Sequence, residues 1–255
     1  MNSYTLSPEA LVMISGSSKG TQNKYYDNGY WYKTNQNGYE GLSEYLVSKL
    51  LECTNQKNFV TYEQCQINGK SGCRSLNFLK KDESFISFHR LYDIYHGGNL
   101  SEAVITMNSA GERIRFVKDF VESVTEFDIS PYLSKVLTLD MITLNNDRHF
   151  NNLGIIINSQ NNTCKEAPIF DNGASLCSNF NIFEPDCTMD EMLERAVALP
   201  FSSNFELQCK ECGIGLAIDY DKLEKILVSE PDSRALSVLH YQVDRYRQII
   251  PAINS

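Results

Sequence analysis

The chain reads Asp-Arg-His-Phe-Asn-Asn at residues 147–152 and Asp-Asn-Gly at residues 171–173. Between these motifs, residues 153–170 consist of an apolar, β-branched run, a polar cluster and a second run that ends at Ile169 and Phe170. Two such runs joined by a short polar turn predict a β-hairpin. The hairpin folds the chain back, so we expect Asp171 to emerge beside Asn152.

Asp147 and Asn152 have the five-residue offset of the protein-kinase pattern H-R-D-x-x-x-x-N. In that pattern the Asp accepts the proton of the substrate hydroxyl and the Asn binds a metal ion, while an Asp on a later loop also binds metal. Phosphoryl transfer depends mainly on positioning and on neutralising oxygen charge, so the base and the metal ligands must meet in a small volume. Asp and Asn are also common turn residues, so either motif alone fits an ordinary turn about equally well.

The upstream sequence contains further parts of such a site in the same order. A short apolar run at residues 11–15 precedes a loop of small residues, whose backbone N–H groups can approach phosphate oxygens closely. The loop residues are Gly16, Ser17, Ser18 and Lys19. This loop departs from both G-x-x-x-x-G-K-[ST] and G-x-G-x-x-G, so by itself it fits a plain flexible turn better. Two predicted strands then flank an Asn28-Gly29 turn, and the second ends at Lys33, the candidate to pair with the α- and β-phosphates.

A helix is predicted at residues 38–53, where apolar residues recur at helical spacing and Glu40 and Glu44 lie one turn apart. Either carboxylate can form an ion pair with Lys33 and orient its ammonium group, as a helix glutamate does in protein kinases. We prefer Glu44 for this role. Taken singly, each glutamate is more typical of a solvated helix face, and only the whole series in kinase order favours a catalytic site.

Residues 146–152 and 167–173 resemble the HipA-like serine/threonine kinases, which have a catalytic loop N-x-D-R-H-x-x-N and a metal segment a-P-x-x-D. The D-R-H-x-x-N form also occurs in phosphatidylinositol kinases. The resemblance implies a protein-kinase-like bilobal α+β fold. A small antiparallel-sheet N-lobe with one helix would occupy residues 1–84, and a larger, mainly helical C-lobe would occupy residues 85–255.

The resemblance also implies roles for single residues. Asp147 would be the catalytic base, Asn152 and Asp171 the Mg²⁺ ligands, and ATP the phosphoryl donor. Lys33 would be the phosphate lysine, and His149 would lie near the phosphates.

The loop at residues 16–19 would cover the nucleotide in this family. Autophosphorylation of a serine in that loop can switch such enzymes off, and Ser15, Ser17 and Ser18 are available for it. Full-length HipA toxins carry an additional N-terminal subdomain, whereas this chain begins almost at the nucleotide loop. We therefore expect either a short family member or a separate partner that supplies the subdomain, and an antitoxin is a further candidate partner.

Composition predicts an ordinary globular protein, with 42% hydrophobic and 22% charged residues among 255. The net charge of −9 disfavours direct binding to nucleic acid or to an anionic membrane. No signal peptide and no apolar run of ~20 residues is evident. Eight cysteines are scattered without a disulfide framework, which favours a reducing cytoplasm. Cys209 and Cys212 form a C-x-x-C motif without a second cysteine pair. A chance occurrence explains this motif better than zinc binding does, and zinc binding explains it better than redox activity does.

The remaining predicted elements are a hairpin at residues 59–78 with an Asn68-Gly69 turn, an adenine-contacting hinge near residues 80–83, and a series of helices. The helices are predicted at 85–96, 100–107, 112–127, 132–144, 189–199, 220–228 and 232–250.

Three functions remain open from the sequence. The first is an ATP-dependent protein serine/threonine kinase. The second is a kinase of a phosphoinositide or another small molecule, which the shared D-R-H-x-x-N loop allows but the lack of a basic amphipathic segment disfavours. The third is a pseudokinase binding module, which the joint presence of Lys33, Asp147, Asn152 and Asp171 disfavours.

Overall fold

A computed structural model describes residues 1–12 and 22–253 of the chain. They form the predicted mixture of helices and strands, arranged in two compact units. The first unit comprises Met1–Phe78, Phe170–Ala196 and Ala217–Ser255, and the second comprises Leu79–Ile169 and Val197–Leu216. Each unit is assembled from separated segments of the chain, and the division into two lobes at residue 84 stays a prediction.

The first unit contains, within the residues described, a five-stranded sheet in the order β1-β4-β5-β3-β2. The strands are β1 (Asn2–Tyr4), β2 (Lys24–Asp27), β3 (Tyr30–Thr34), β4 (Glu63–Ile67) and β5 (Lys70–Leu76). Both predicted hairpins are present, and both residues of each Asn-Gly turn have positive φ, the conformation that the tight turn between twisted strands requires. The sheet is antiparallel except for β1, which pairs in parallel with β4. Only Leu11 and Val12 of the apolar run at 11–15 are described, and they bond to β2.

Helix α1 (Glu40–Glu52) packs against this sheet and buries its apolar residues, among them Leu46, Val47, Leu50 and Leu51. The approach is close enough that a Cβ atom on Gly41 would lie 2.6 Å from the backbone carbon of Gly72 in β5. A Cβ atom on Gly72 would overlap the carbonyl oxygen of Lys33 in β3. Glycine at these positions therefore sets the distance between α1 and the strands that carry the candidate site.

Within the described residues, the first unit also contains the α-helices α6 (Met189–Arg195), α8 (Tyr220–Ser229) and α9 (Arg234–Tyr246). They confirm the predicted helices, although α6 is shorter than predicted. It begins with a capping box between Thr188 and Glu191 and ends because Ala196 adopts an extended conformation.

The second unit contains a three-stranded sheet of β6 (Glu83–Ser87), β7 (Gly154–Asn158) and β8 (Thr163–Glu166), as far as the chain is described. Its helices are α2 (Phe88–His96), α3 (Leu100–Ile105), α4 (Ala110–Thr125), α5 (Ser130–Thr143) and α7 (Phe205–Cys212). The hairpin predicted after Asn152 is confirmed as β7–β8.

Two predictions for this unit are corrected. The helix predicted from residue 85 begins at Phe88, because residues 83–87 pair with β7 and Ser87 caps α2 by accepting a hydrogen bond from the Arg90 N–H group. Helix α7 was not predicted, since it is only eight residues long and half of them are polar, which gives a weak periodic signal. In the described part of the chain, no helix has both the length and the apolar character needed to cross a bilayer.

Gly72→Ala tests the close packing of α1, β3 and β5. The added methyl group must push the Lys33 carbonyl away, so we expect a loss of about 1–3 kcal/mol in the free energy of unfolding, measured by urea denaturation. Gly98→Ala is the matched control, because its Cβ atom would meet no atom within 4 Å. Equal stability of the two variants would contradict the packing argument.

Candidate active site

Lys33 is the centre of an ion cluster in the first unit. Its ammonium group donates hydrogen bonds to Glu44 Oε1 and Asp171 Oδ1, both at 2.6 Å. The side chains of Lys33 and Glu44 are 11% and 1% exposed, whereas that of Asp171 is 22% exposed. The predicted ion pair between Lys33 and Glu44 is therefore confirmed, and Asp171 joins it.

Glu44 connects two segments that are distant in sequence. While Oε1 accepts from Lys33, Oε2 accepts a hydrogen bond from the Asn172 N–H group at 2.8 Å. Burial alone lowers the pKa of Lys33, but the charges of Asp171 and Glu44 outweigh it and raise that pKa well above its usual value. Lys33 is therefore a fixed cation, held by α1 on one side and by the Asp171 loop on the other.

Glu40 has a different role from Glu44. Its carboxylate accepts hydrogen bonds from the backbone N–H groups of Gln36 at 3.2 Å and Asn37 at 2.7 Å. It thus fixes the turn that leads into α1, which agrees with our preference for Glu44 as the partner of Lys33.

Asp171 lies in a strained part of the loop, with φ of +59°. Asp is one of the few residues that adopt this left-handed conformation without a large cost, and such residues occur often at functional sites. A second lysine approaches the same side chain, with Lys24 Nζ 3.9 Å from Asp171 Oδ2. Lys24 lies directly opposite Lys33 in the β2–β3 register. Lys24 was not predicted from the sequence, although the predicted hairpin register places the two lysines on one face of the sheet.

The segment after Asp171 is held by the side chains of Tyr39, directly before α1, and of Arg234 in α9. The Tyr39 hydroxyl donates to the carbonyls of Leu176 at 2.7 Å and Cys177 at 3.0 Å. The guanidinium group of Arg234 donates to the carbonyl of Cys177 at 3.2 Å and to that of Phe183 at 2.8 Å. Leu176 and Cys177 both have positive φ, so these contacts keep an unfavourable backbone conformation in place.

The second unit carries the loop of Asp147 and Asn152. Helix α5 ends at Thr143 with Leu144 as its C-cap, and the Asn145 side chain accepts a hydrogen bond from the Asp147 N–H group at 3.2 Å. The Asn152 amide nitrogen donates to the Asp147 carbonyl at 3.3 Å. The loop therefore brings Asn152 back to Asp147, as the five-residue spacing predicts.

Burial alternates along this loop and leaves the candidate base exposed. Arg148 and Phe150 are each 1% exposed, whereas Asp147 is exposed. Arg148 forms hydrogen bonds from Nε and Nη2 to Asp140 of α5 at 2.9 Å, and Asp140 is itself completely buried. Burial raises the pKa of Asp140, against the lowering effect of Arg148. The buried pair fixes the residue next to Asp147 to the helix that precedes the loop.

His149 borders a cavity of about 320 Å³ within the second unit, together with residues from 197–203 and α3. Its Nδ1 atom is buried and has no hydrogen-bond partner among the described residues. The predicted position of His149 near phosphates stays a prediction. The predicted nucleotide loop of Gly16, Ser17, Ser18 and Lys19 lies outside the described residues, as does Ser15.

The side chains predicted to bind Mg²⁺ have suitable chemistry, since that ion prefers carboxylate and amide oxygens. Because the Asn152 amide nitrogen donates to the backbone, its amide oxygen is directed away from that carbonyl and can act as a ligand. No group of three or more His, Cys, Asp or Glu side chains in the described ranges has the geometry of a metal site. The two predicted ligands, the Asp171 carboxylate and the Asn152 amide, do not form such a group, because only Asp171 is one of these four residue types.

The fold is kinase-like. A Helicobacter pylori proinflammatory kinase, CtkA, matches with a TM-score of 0.59 and 16% identity, over 90% of this chain and 91% of that chain. Shewanella oneidensis MR-1 HipA, from a toxin–antitoxin complex with HipB and operator DNA, matches with a TM-score of 0.38 and 10% identity, over 98% of this chain and 62% of that chain. No protein-family model matches the sequence, and no curated protein does. The fold shared with CtkA agrees with the resemblance of the sequence motifs to HipA-like kinases.

Arg148→Met tests the buried pair that fixes the Asp147 loop. The substitution leaves Asp140 buried without its ion partner, which should cost about 3–5 kcal/mol and lower Tm by roughly 6–20 °C in a protein of this size. The double variant Asp140→Leu/Arg148→Met should recover most of this loss, because it removes both charges. Differential scanning calorimetry measures both effects. Arg90→Met, which removes an exposed ion pair with Asp93, should leave Tm nearly unchanged.

Proposed function

We propose that this chain is a Mg²⁺-dependent kinase that transfers the γ-phosphoryl group of ATP to a serine or threonine hydroxyl of a protein. The observation that carries the proposal is the ion cluster in which Lys33 of β3 lies between Glu44 of α1 and Asp171. A scaffold without chemistry has no need of a buried lysine whose second carboxylate partner remains partly exposed.

In this proposal Lys33 binds the α- and β-phosphates of ATP. Glu44 keeps the ammonium group in position, since it is almost fully buried and also bonds to Asn172. Lys24, 3.9 Å from Asp171, adds a second positive charge beside the carboxylate. Local cations are needed because the chain as a whole carries a net charge of −9.

Asp147 acts as the base of the proposed reaction. It accepts the proton of the substrate hydroxyl while that oxygen bonds to the γ-phosphorus, and the bond from this phosphorus to the bridging oxygen of ADP breaks. Its exposure leaves it accessible to a substrate side chain. Asn152 and Asp171 would provide oxygen ligands for Mg²⁺, which when bound would neutralise phosphate oxygen charge.

The finer parts of the proposal come from the sequence resemblance. They are the protein hydroxyl as substrate, autophosphorylation of the loop at residues 15–18, and an antitoxin or separate subdomain as partner. A cytoplasmic location is proposed instead from the cysteines. The eight cysteines, all within the described residues, are free, which suits a reducing compartment.

Transfer of label from γ-labelled ATP tests the activity. Wild-type protein with Mg²⁺ should label itself or one protein in a cell lysate. Asp147→Asn and Asp171→Asn should each reduce labelling by at least about 100-fold, because they remove the base and a metal ligand. Circular dichroism at a temperature well below Tm should show that both variants keep their helices and strands, although Asp171→Asn, which removes a charged partner of Lys33, should lower Tm. Asp119→Asn, at an exposed position in α4, is the matched control.

Each alternative has its own outcome in the same assay. Label found in lipid or in a small molecule would show that the substrate is of that class and not a protein. The absence of both labelling and nucleotide binding would indicate a binding module. Full activity of Asp147→Asn or Asp171→Asn would remove that residue from the mechanism.

A further inference from the structure

Tyr62 is buried against the Lys33 cluster and belongs to none of the motifs found in the sequence. It lies directly before β4 and is 3% exposed. Its ring centroid lies 5.4 Å from Lys33 Nζ, within the range of a cation–π interaction. Its hydroxyl oxygen accepts a hydrogen bond from the Asp171 N–H group at 3.3 Å.

Packing alone does not explain the hydroxyl group of Tyr62. The Tyr62 ring belongs to an apolar cluster with Val60 and Cys73, against which Phe78 and Phe170 also pack. A phenylalanine would fill the same volume, and a buried hydroxyl group costs free energy unless it forms a hydrogen bond. Here that bond is made to the backbone of Asp171, the residue with φ of +59°.

The two contacts of Tyr62 act on different members of the cluster. The ring covers the ammonium group of Lys33, which Glu44 and Asp171 hold from other directions. The hydroxyl group fixes the backbone of Asp171, and the direction of the Asp171 carboxylate depends on that backbone conformation.

We propose that Tyr62 is a positioning residue, whose ring orients Lys33 for the nucleotide and whose hydroxyl group orients Asp171 for Mg²⁺. This inference rests on the proposed kinase function and adds a residue to it. The two parts of the side chain have separable effects, so two substitutions can distinguish them.

Tyr62→Phe removes only the hydroxyl group. We expect it to raise the Mg²⁺ concentration for half-maximal tight binding of a non-hydrolysable ATP analogue by about 3- to 10-fold, the effect of one hydrogen bond. Binding of the analogue without metal should stay within about twofold of wild type, because the ring still covers Lys33. Isothermal titration calorimetry at a series of Mg²⁺ concentrations measures both quantities.

Tyr62→Leu removes the ring as well, and it should weaken analogue binding both with and without Mg²⁺. This variant also opens a cavity in the core, so Tyr62→Phe carries the test if Tyr62→Leu does not fold. Tyr45→Phe is the matched control, because it removes a hydroxyl group that donates to Glu230, outside the cluster. It should leave the Mg²⁺ dependence unchanged.

The outcomes separate this inference from the function on which it rests. Wild-type Mg²⁺ dependence in Tyr62→Phe, with normal analogue binding by the wild-type protein, would overturn the role of Tyr62 and leave the kinase proposal standing. A raised Mg²⁺ requirement in Tyr45→Phe as well would also overturn it. If the wild-type protein does not bind the analogue at any Mg²⁺ concentration, both proposals fail.

Discussion

A buried ammonium group between two carboxylates is the interaction on which the candidate site depends. Removing Lys33 from water costs several kcal/mol, and this cost is offset only if both Glu44 and Asp171 keep their short contacts. The cluster therefore constrains three parts of the chain at once: the end of β3, one turn of α1 and the loop after residue 170. The close approach of Gly41 and Gly72 serves the same constraint, because it lets α1 lie near enough to β3 for Glu44 to reach Lys33.

The loop of Asp147 is stabilised in a different way. Arg148 and Phe150 of this loop are buried and hold its backbone in place, whereas Asp147 is exposed to solvent. The anchor is an ion pair inside the second unit, between Arg148 and Asp140. The role proposed for Asp147, to accept a proton from a substrate hydroxyl, needs this combination of access and fixed position.

The sequence predicted those features that depend on local patterns. Asn-Gly turns located both hairpins of the first sheet, and the five-residue offset located the turn from Asp147 to Asn152. The pair of Lys33 and Glu44 could be predicted because a strand end and the following helix face are close along the chain. Strand β6 could not be predicted in this way, since its pairing with β7 joins residues about seventy positions apart. Tyr62 was missed for a related reason: its contacts with Lys33 and Asp171 come from tertiary packing, and no spacing in the sequence indicates them.

The side chains that hold the segment after Asp171 come from both directions along the chain. Tyr39 precedes this segment, but Arg234 of α9 follows it by more than fifty residues. A ribosome adds about 5–20 residues per second, so Arg234 is synthesised several seconds after Cys177 and Phe183, whose carbonyls accept its hydrogen bonds. The two left-handed residues at 176 and 177 cannot be fully held until α9 has been synthesised, so the segment that follows Asp171 reaches its final conformation late.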